Sequence, residues 1–185
     1  MFMAYNMKDV FYLDTSILTT TSAGDGVHNI DLSSYVDPIA RGRAKGTGLA
    51  IYKVFFDFSN SSDNGPVPAG STGSLRVGLI SSPGLPSAAV GSGSITAGTL
   101  VAGNDLMIAG SDFTAGGTAA GDPAPNMFLK PSKEVPYVVV RDQVSLMVDV
   151  KTAMSTNTLI SVRLECAQVT LDQSTLNQLL RTQTV

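Results

Sequence analysis

The stretch from Val144 to Cys166, VSLMVDVKTAMSTNTLISVRLEC, decides the fold class. Val144, Leu146, Val148 and Val150 alternate with Ser145, Met147 and Asp149. After the polar link Lys151 to Asn157, the residues Ile160, Val162, Leu164 and Cys166 alternate with Ser161, Arg163 and Glu165. A period of two marks a strand with one buried face. Two such runs around a short polar link predict an antiparallel hairpin.

Downstream, Asp172 is placed to cap a short final helix whose Leu176, Leu179 and Leu180 form one apolar stripe. Upstream, Leu49 to Phe58 is the strongest strand. Ala50, Tyr52, Val54, Phe56 and Phe58 share one face, and Leu49, Ile51, Lys53, Phe55 and Asp57 share the other. Both faces are mostly apolar, so the strand is read as central or covered on both sides. Leu75 to Ile80 is a shorter strand with Leu75, Val77 and Leu79 on one side. Lys8 to Leu13 reads as extended, and His28 to Val36 alternates loosely until Asp37-Pro38 stops it. Ser59 to Gly73 reads as a long turn region, and short strands are expected at Thr99–Ala102 and Asp105–Ala109. The count is about seven to nine short strands and one helix, the pattern of an antiparallel β-sandwich, with a jelly roll the preferred winding. One mainly β domain over 1–185 is expected, with long loops and with 1–14 and 172–185 as interacting terminal segments.

Charged residues make up 15% of the chain, below the usual quarter, and the net charge is −3. That balance offers no broad attraction to nucleic acid. Between Arg76 and Lys130 there is no Lys or Arg, and Asp105, Asp112 and Asp122 are the only formal charges. A long surface segment normally carries charge to stay soluble. A disordered one combines low hydrophobicity with high net charge, and this one has neither. The reading is that neighbouring copies cover this surface.

Catalytic chemistry is poorly supplied, and no enzyme is expected. His28 and Cys166 are the single His and the single Cys, which excludes Cys/His zinc sites and intramolecular disulfides. A Ser-His-Asp triad would have to use His28, and a chance match is easy among so many Ser and Asp. Cys166 lies on an apolar strand face and reads as an inert thiol. Gly91-Ser92-Gly93 lacks the third glycine of a dinucleotide fingerprint. Asp25, Asp31 and Asp37, or Asp105 and Asp112, lack the spacing of a calcium loop, so solvated turns and no cofactor are expected. Asn60-Ser61-Ser62 fits the glycosylation sequon. The basic cluster Arg41, Arg43 and Lys45 could meet phosphates, lipid head groups or a neighbour's carboxylates. With a negative net charge, the subunit contact is favoured. Met1, Phe2, Met3 and Tyr5 would form a sticky patch if exposed. Together with Leu176, Leu179 and Leu180 they complete the set of expected subunit contacts. No stretch reaches the length of a membrane span, and the start lacks the basic and apolar regions of a secretory signal.

The alternating strands Leu49–Phe58, Val144–Val150 and Ile160–Leu171, the charge-poor Gly/Ala/Ser/Thr loops and the interacting ends resemble the small coat proteins of icosahedral viruses and bacteriophages. The resemblance is one of texture over the whole chain. It implies a jelly roll, self-association rather than a pocket, and a virion location after assembly in the host cytoplasm. The implied partners are copies of the chain and other virion subunits. The chain departs from RNA-packaging coats in lacking an Arg-rich arm, which suits a shell with an inner membrane or a subunit remote from the genome. The alternatives are a phage tail-tube or capsid decoration protein, and a carbohydrate-binding β-sandwich module, which needs exposed aromatics in a chain where aromatics are 6% and Trp is absent.

Overall fold

The alternating runs become strands of two antiparallel sheets in the computed structural model, which describes residues 10–19, 21–37, 45–81, 84–116 and 124–183. In chain order the elements are β1 (Val10–Leu18), β2 (Gly24–Asp31), β3 (Lys45–Asn60), β4 (Thr72–Ile80), β5 (Ala88–Gly93), β6 (Met107–Gly116), β7 (Ala124–Leu129), β8 (Tyr137–Val139), β9 (Gln143–Thr152), β10 (Thr158–Asp172) and α1 (Gln173–Thr182). The first sheet runs β1-β10-β3-β8 and the second β5-β2-β9-β4-β6-β7. The pairs β1 with β10, β2 with β9, β3 with β8 and β4 with β6 are nested one inside the next, alternating between the sheets. This is the jelly-roll winding, a long antiparallel ribbon rolled into two facing sheets. β5 and β7 extend the second sheet at its two ends.

The core lies between the sheets. It takes Val144, Leu146, Val148 and Val150 from β9, and Ile160, Val162, Leu164 and Cys166 from β10. Leu75, Val77 and Leu79 of β4 join them, and Phe58 of β3 stacks on Phe113 of β6 across the sandwich with ring centroids 4.6 Å apart.

The expected hairpin at 144–166 is not one. β9 pairs with β2 and β4, whereas β10 pairs with β1 and β3. The polar link therefore crosses from one sheet to the other, and the two apolar runs face each other across the core. Met154 in this link is buried, and the link is tied to β4 by Ser155 N–H to Thr72 O at 2.9 Å and Thr72 N–H to Ser155 Oγ at 2.8 Å. Alternation identifies the inward side chains of each strand but carries no information on which strand lies beside it.

The two apolar faces read for Leu49–Phe58 also have a different cause. In the β3–β10 ladder Ile51 opposes Cys166 and Lys53 opposes Glu165, so Tyr52 is an extra residue in a β-bulge. The bulge switches the inward parity. Leu49 and Ile51 point inward before it, and Val54, Phe56 and Phe58 after it. The expected strand at Thr99–Ala102 is a turn, and the second expected strand begins at Met107 and runs on to Gly116. β1 reaches Leu18, beyond the expected end at Leu13, and β2 stops at Asp31.

The C-terminal helix is present, with Asp172 as its N-cap: Oδ1 accepts the Thr175 N–H at 2.7 Å. Leu176 is fully buried, and it sits on Gly46 of β3, where an added Cβ would come within 2.7 Å of its Cδ2.

Candidate interaction surfaces

Met1, Phe2, Met3, Tyr5, Arg41 and Arg43 lie outside the described residues. Lys45 is exposed at the start of β3, opposite Asp172 in the ladder. The Thr175 N–H first, and the Lys45 charge to a smaller extent, hold the Asp172 carboxyl below the usual carboxylate range. Leu176 is removed from the expected subunit contacts, because its own chain buries it completely. Leu179 and Leu180 are half-buried. Leu176 faces its own sheet, at Gly46 of β3.

The outer face of the second sheet carries a row of charges that sequence reading missed. The ladders place Asp25, Asp149, Arg76 and Asp112 side by side on β2, β9, β4 and β6. Arg76 grips Asp112 with two hydrogen bonds, Nε to Oδ1 at 2.6 Å and Nη2 to Oδ2 at 2.8 Å, and its guanidinium lies 4.7 Å from the Phe128 ring centroid. The hydrogen bonds to Asp112 raise the Arg76 pKa above its ordinary value. Lys151 pairs with Asp149 at 2.6 Å.

This row holds down the charge-poor segment. Arg76 Nη1 donates to Leu100 O at 3.2 Å, and Asp25 Oδ2 accepts the Ile95 N–H at 2.8 Å. Beside these clamps Leu100, Met107, Ile80, Val27 and Met147 form a second apolar cluster, with Leu85, Ile95, Leu106 and Phe128 against it. Part of the segment expected to be covered by neighbours is thus covered by its own sheet. A cleft of about 630 Å³ remains between the row and the loop, and its charged groups are paired within the chain. Arg76→Ala is expected to cost only about 1 kcal/mol, because the ion pair is partly exposed. Amide exchange at Ile95–Val101 should rise while the β9 and β10 amides stay protected.

The outer face of the first sheet is different in kind. Tyr12, Asp14 and Ser16 of β1 lie beside Glu165, Arg163 and Ser161 of β10, and these lie beside Lys53, Phe55 and Asp57 of β3. Tyr12 is 56% exposed and Phe55 48%. The Arg163 guanidinium sits 5.7 Å from the Tyr12 ring centroid, although Asp14 is its direct cross-strand neighbour. A shallow depression of about 600 Å³ runs over this face. Above it, Glu165 is tied to Lys133 at 3.5 Å and Lys53 at 3.9 Å.

The remaining sequence candidates are separate from these surfaces. His28 is exposed on β2. The carboxylates considered for calcium do not converge: Asp25 and Asp112 are held as above, Asp31 accepts the Ser33 N–H at 2.8 Å, and Asp105 is exposed. Among the described residues no three His, Cys, Asp or Glu come together to hold a metal. Asn60 of the sequon is 8% exposed, with its Oδ1 accepting the Ser62 N–H at 3.1 Å, which leaves little access for a glycosyl transferase. Gly91-Ser92-Gly93 lies in β5 rather than in a phosphate loop.

Cys166 is buried, and desolvation first, then the nearby Glu165 charge, push its thiol up to about 12. Burial likewise pushes the Tyr137 phenol up to about 12, with its O–H donating to Asp105 O at 3.0 Å. An acid whose pKa rises on folding holds its proton more tightly in the folded state. Its contribution is whole below the unfolded pKa and is lost as pH climbs toward the folded one. Stability is therefore expected to fall between about pH 9 and 12, which denaturant titrations across that range measure. Thiol reagents at neutral pH should leave Cys166 untouched until the protein is unfolded.

Compared with known families and with curated proteins, the chain matches no family model and no curated protein.

Proposed function

We propose that the chain is a virion structural protein, a coat subunit whose copies assemble into an icosahedral shell. The observation that carries this reading is the character of the described surface from residue 84 to residue 106. Its exposed residues are Gly, Ala, Ser, Thr, Pro and Val101, with Asp105 as the one charge. Two internal clamps fasten this charge-poor surface to the sheet beneath. Depletion of charge is the compositional mark of an interface centre. A held, charge-poor patch suits repeated contact with identical neighbours, each contact modest and the total large. The jelly-roll winding is compatible with the same role, since closing two sheets over one core puts the connecting loops on the outside.

Val101 is 41% exposed and is the large apolar side chain of this patch. Val101→Asp is expected to leave the unfolding midpoint near that of the parent, because a surface site without partners shifts stability by no more than about 0.5 kcal/mol. Assembly followed by light scattering should weaken at least about tenfold, as a charge is buried without a partner at each contact. Equal assembly by the variant and the parent would remove the patch from the interface.

A further inference from the structure

We infer that the outer face of the β1-β10-β3 sheet is a binding site for a neutral oligosaccharide. This goes beyond the assembly reading and does not rest on it. The two outer faces of the sandwich supply the contrast. On the second sheet Asp25, Arg76, Asp112, Asp149 and Lys151 are all engaged within the chain. On the first sheet the side chains of Asp14, Ser16, Asp57 and Ser161 make no hydrogen bond or ion pair among the described residues, and that of Arg163 meets only the Tyr12 ring. Two half-exposed aromatic rings rise from the same depression.

The chemistry of this set selects its ligand. A pyranose ring has one face of C–H groups that stacks on an aromatic ring, and a rim of adjacent hydroxyls that both donate and accept. Tyr12 and Phe55 offer the stacking faces. Asp14 and Asp57 accept from hydroxyls, Arg163 donates in a planar fork, and the two serines do either. Charge gives an anionic polymer little to hold: Asp14 and Asp57 flank the Arg163 guanidinium, and Lys53 and Lys133 are already paired with Glu165. A purely apolar partner would bury these polar groups without satisfying them.

The ladder also sets the length of the ligand. Tyr12 and Phe55 lie on strands either side of β10 and are offset by two residues along it. At ordinary strand and residue spacings their Cα atoms stand about 12 Å apart on the diagonal. That distance exceeds a single sugar ring and suits a short chain of linked hexoses, with Arg163 lying between the two stacking positions.

The test uses the full-length protein on an array of gluco-, manno-, galacto-, xylo- and N-acetylglucosamine hexasaccharides together with sulfated and uronic oligosaccharides. Hits are followed by calorimetry and amide chemical shifts. The expected result is retention of at least one neutral hexasaccharide at millimolar concentration or below, with shifts confined to β1, β10 and β3. Tyr12→Ala and Phe55→Ala should each weaken binding about tenfold. Asp57→Asn should weaken it as well, and Thr96→Ala in the opposite cleft should leave it unchanged. All these positions are at the surface, and an unchanged unfolding midpoint certifies each variant. Three results would overturn the inference: no neutral sugar retained; retention that survives both Tyr12→Ala and Phe55→Ala; or binding of acidic sugars alone, abolished by Arg163→Ala.

Discussion

Gly73→Ala is expected to lower the unfolding free energy by about 4 kcal/mol, from two sources that add. Gly73 has φ +129°, a conformation that L residues rarely adopt, and holding alanine there costs about 1–3 kcal/mol. Its added Cβ would also lie 2.6 Å from Met154 Sδ, 2.8 Å from Met154 Cα and 2.9 Å from Ala153 O. The latter two are backbone atoms of the link that crosses from β9 to β10, so relief requires moving the crossing itself, at about another 1–3 kcal/mol. Gly70 provides the control. It has φ +83°, but nothing lies within 4 Å of an added Cβ. Gly70→Ala should therefore show backbone strain alone, about 1 kcal/mol. Urea titrations of both variants measure the difference, with the midpoint moving and the slope unchanged. Equal midpoints for the two variants would mean that β4 does not pack against the crossing as described.

Gln183→Ala should cost about 3 kcal/mol, because two buried donors and a partly buried carbonyl lose their partner at once. Gln183 is 3% exposed just beyond α1. Its Oε1 accepts from Val140 N and Ser81 Oγ, each at 3.2 Å, and its Nε2 donates to Val138 O at 2.7 Å. One side chain thus ties the end of the helix to β8 and to the residue that follows β4. Alanine leaves the Val140 N–H and the Val138 carbonyl without replacements. Gln183→Glu keeps the acceptor but loses the donor, so an intermediate loss is expected. The same urea titration measures both, and a loss under about 1 kcal/mol for alanine would show that water restores the network.

How much of this was legible in the sequence divides by the range of the information. The inward faces of β4, β9 and β10 follow from alternation, because burial of one face acts on each strand separately. Asp172 as a cap is legible for the same reason, since a cap acts within three residues. The crossing at Met154 was not legible: a hairpin link and a sheet-to-sheet link can have the same polar composition. The bulge at Tyr52 was hidden because it makes both faces look apolar, which is also how a central strand reads. The two outer faces were the least legible. Tyr12, Arg163 and Phe55 are far apart in the chain and become neighbours only through the β1–β10–β3 register. The Asp25–Asp149–Arg76–Asp112 row is another product of pairing, although the lone Arg76 at the border of the charge-poor segment was in plain view.

The charge-poor segment ties these threads together. Its apolar side chains close over the second sheet, and its small uncharged groups face outward. The first role is internal, and the second is the one on which the proposed assembly rests. Imaging the purified full-length protein by negative-stain electron microscopy, with its mass followed by light scattering as concentration rises, addresses that directly. Closed particles of uniform diameter built from many copies are expected. A monodisperse monomer at high concentration, with no particles in the micrographs, would contradict the proposed assembly.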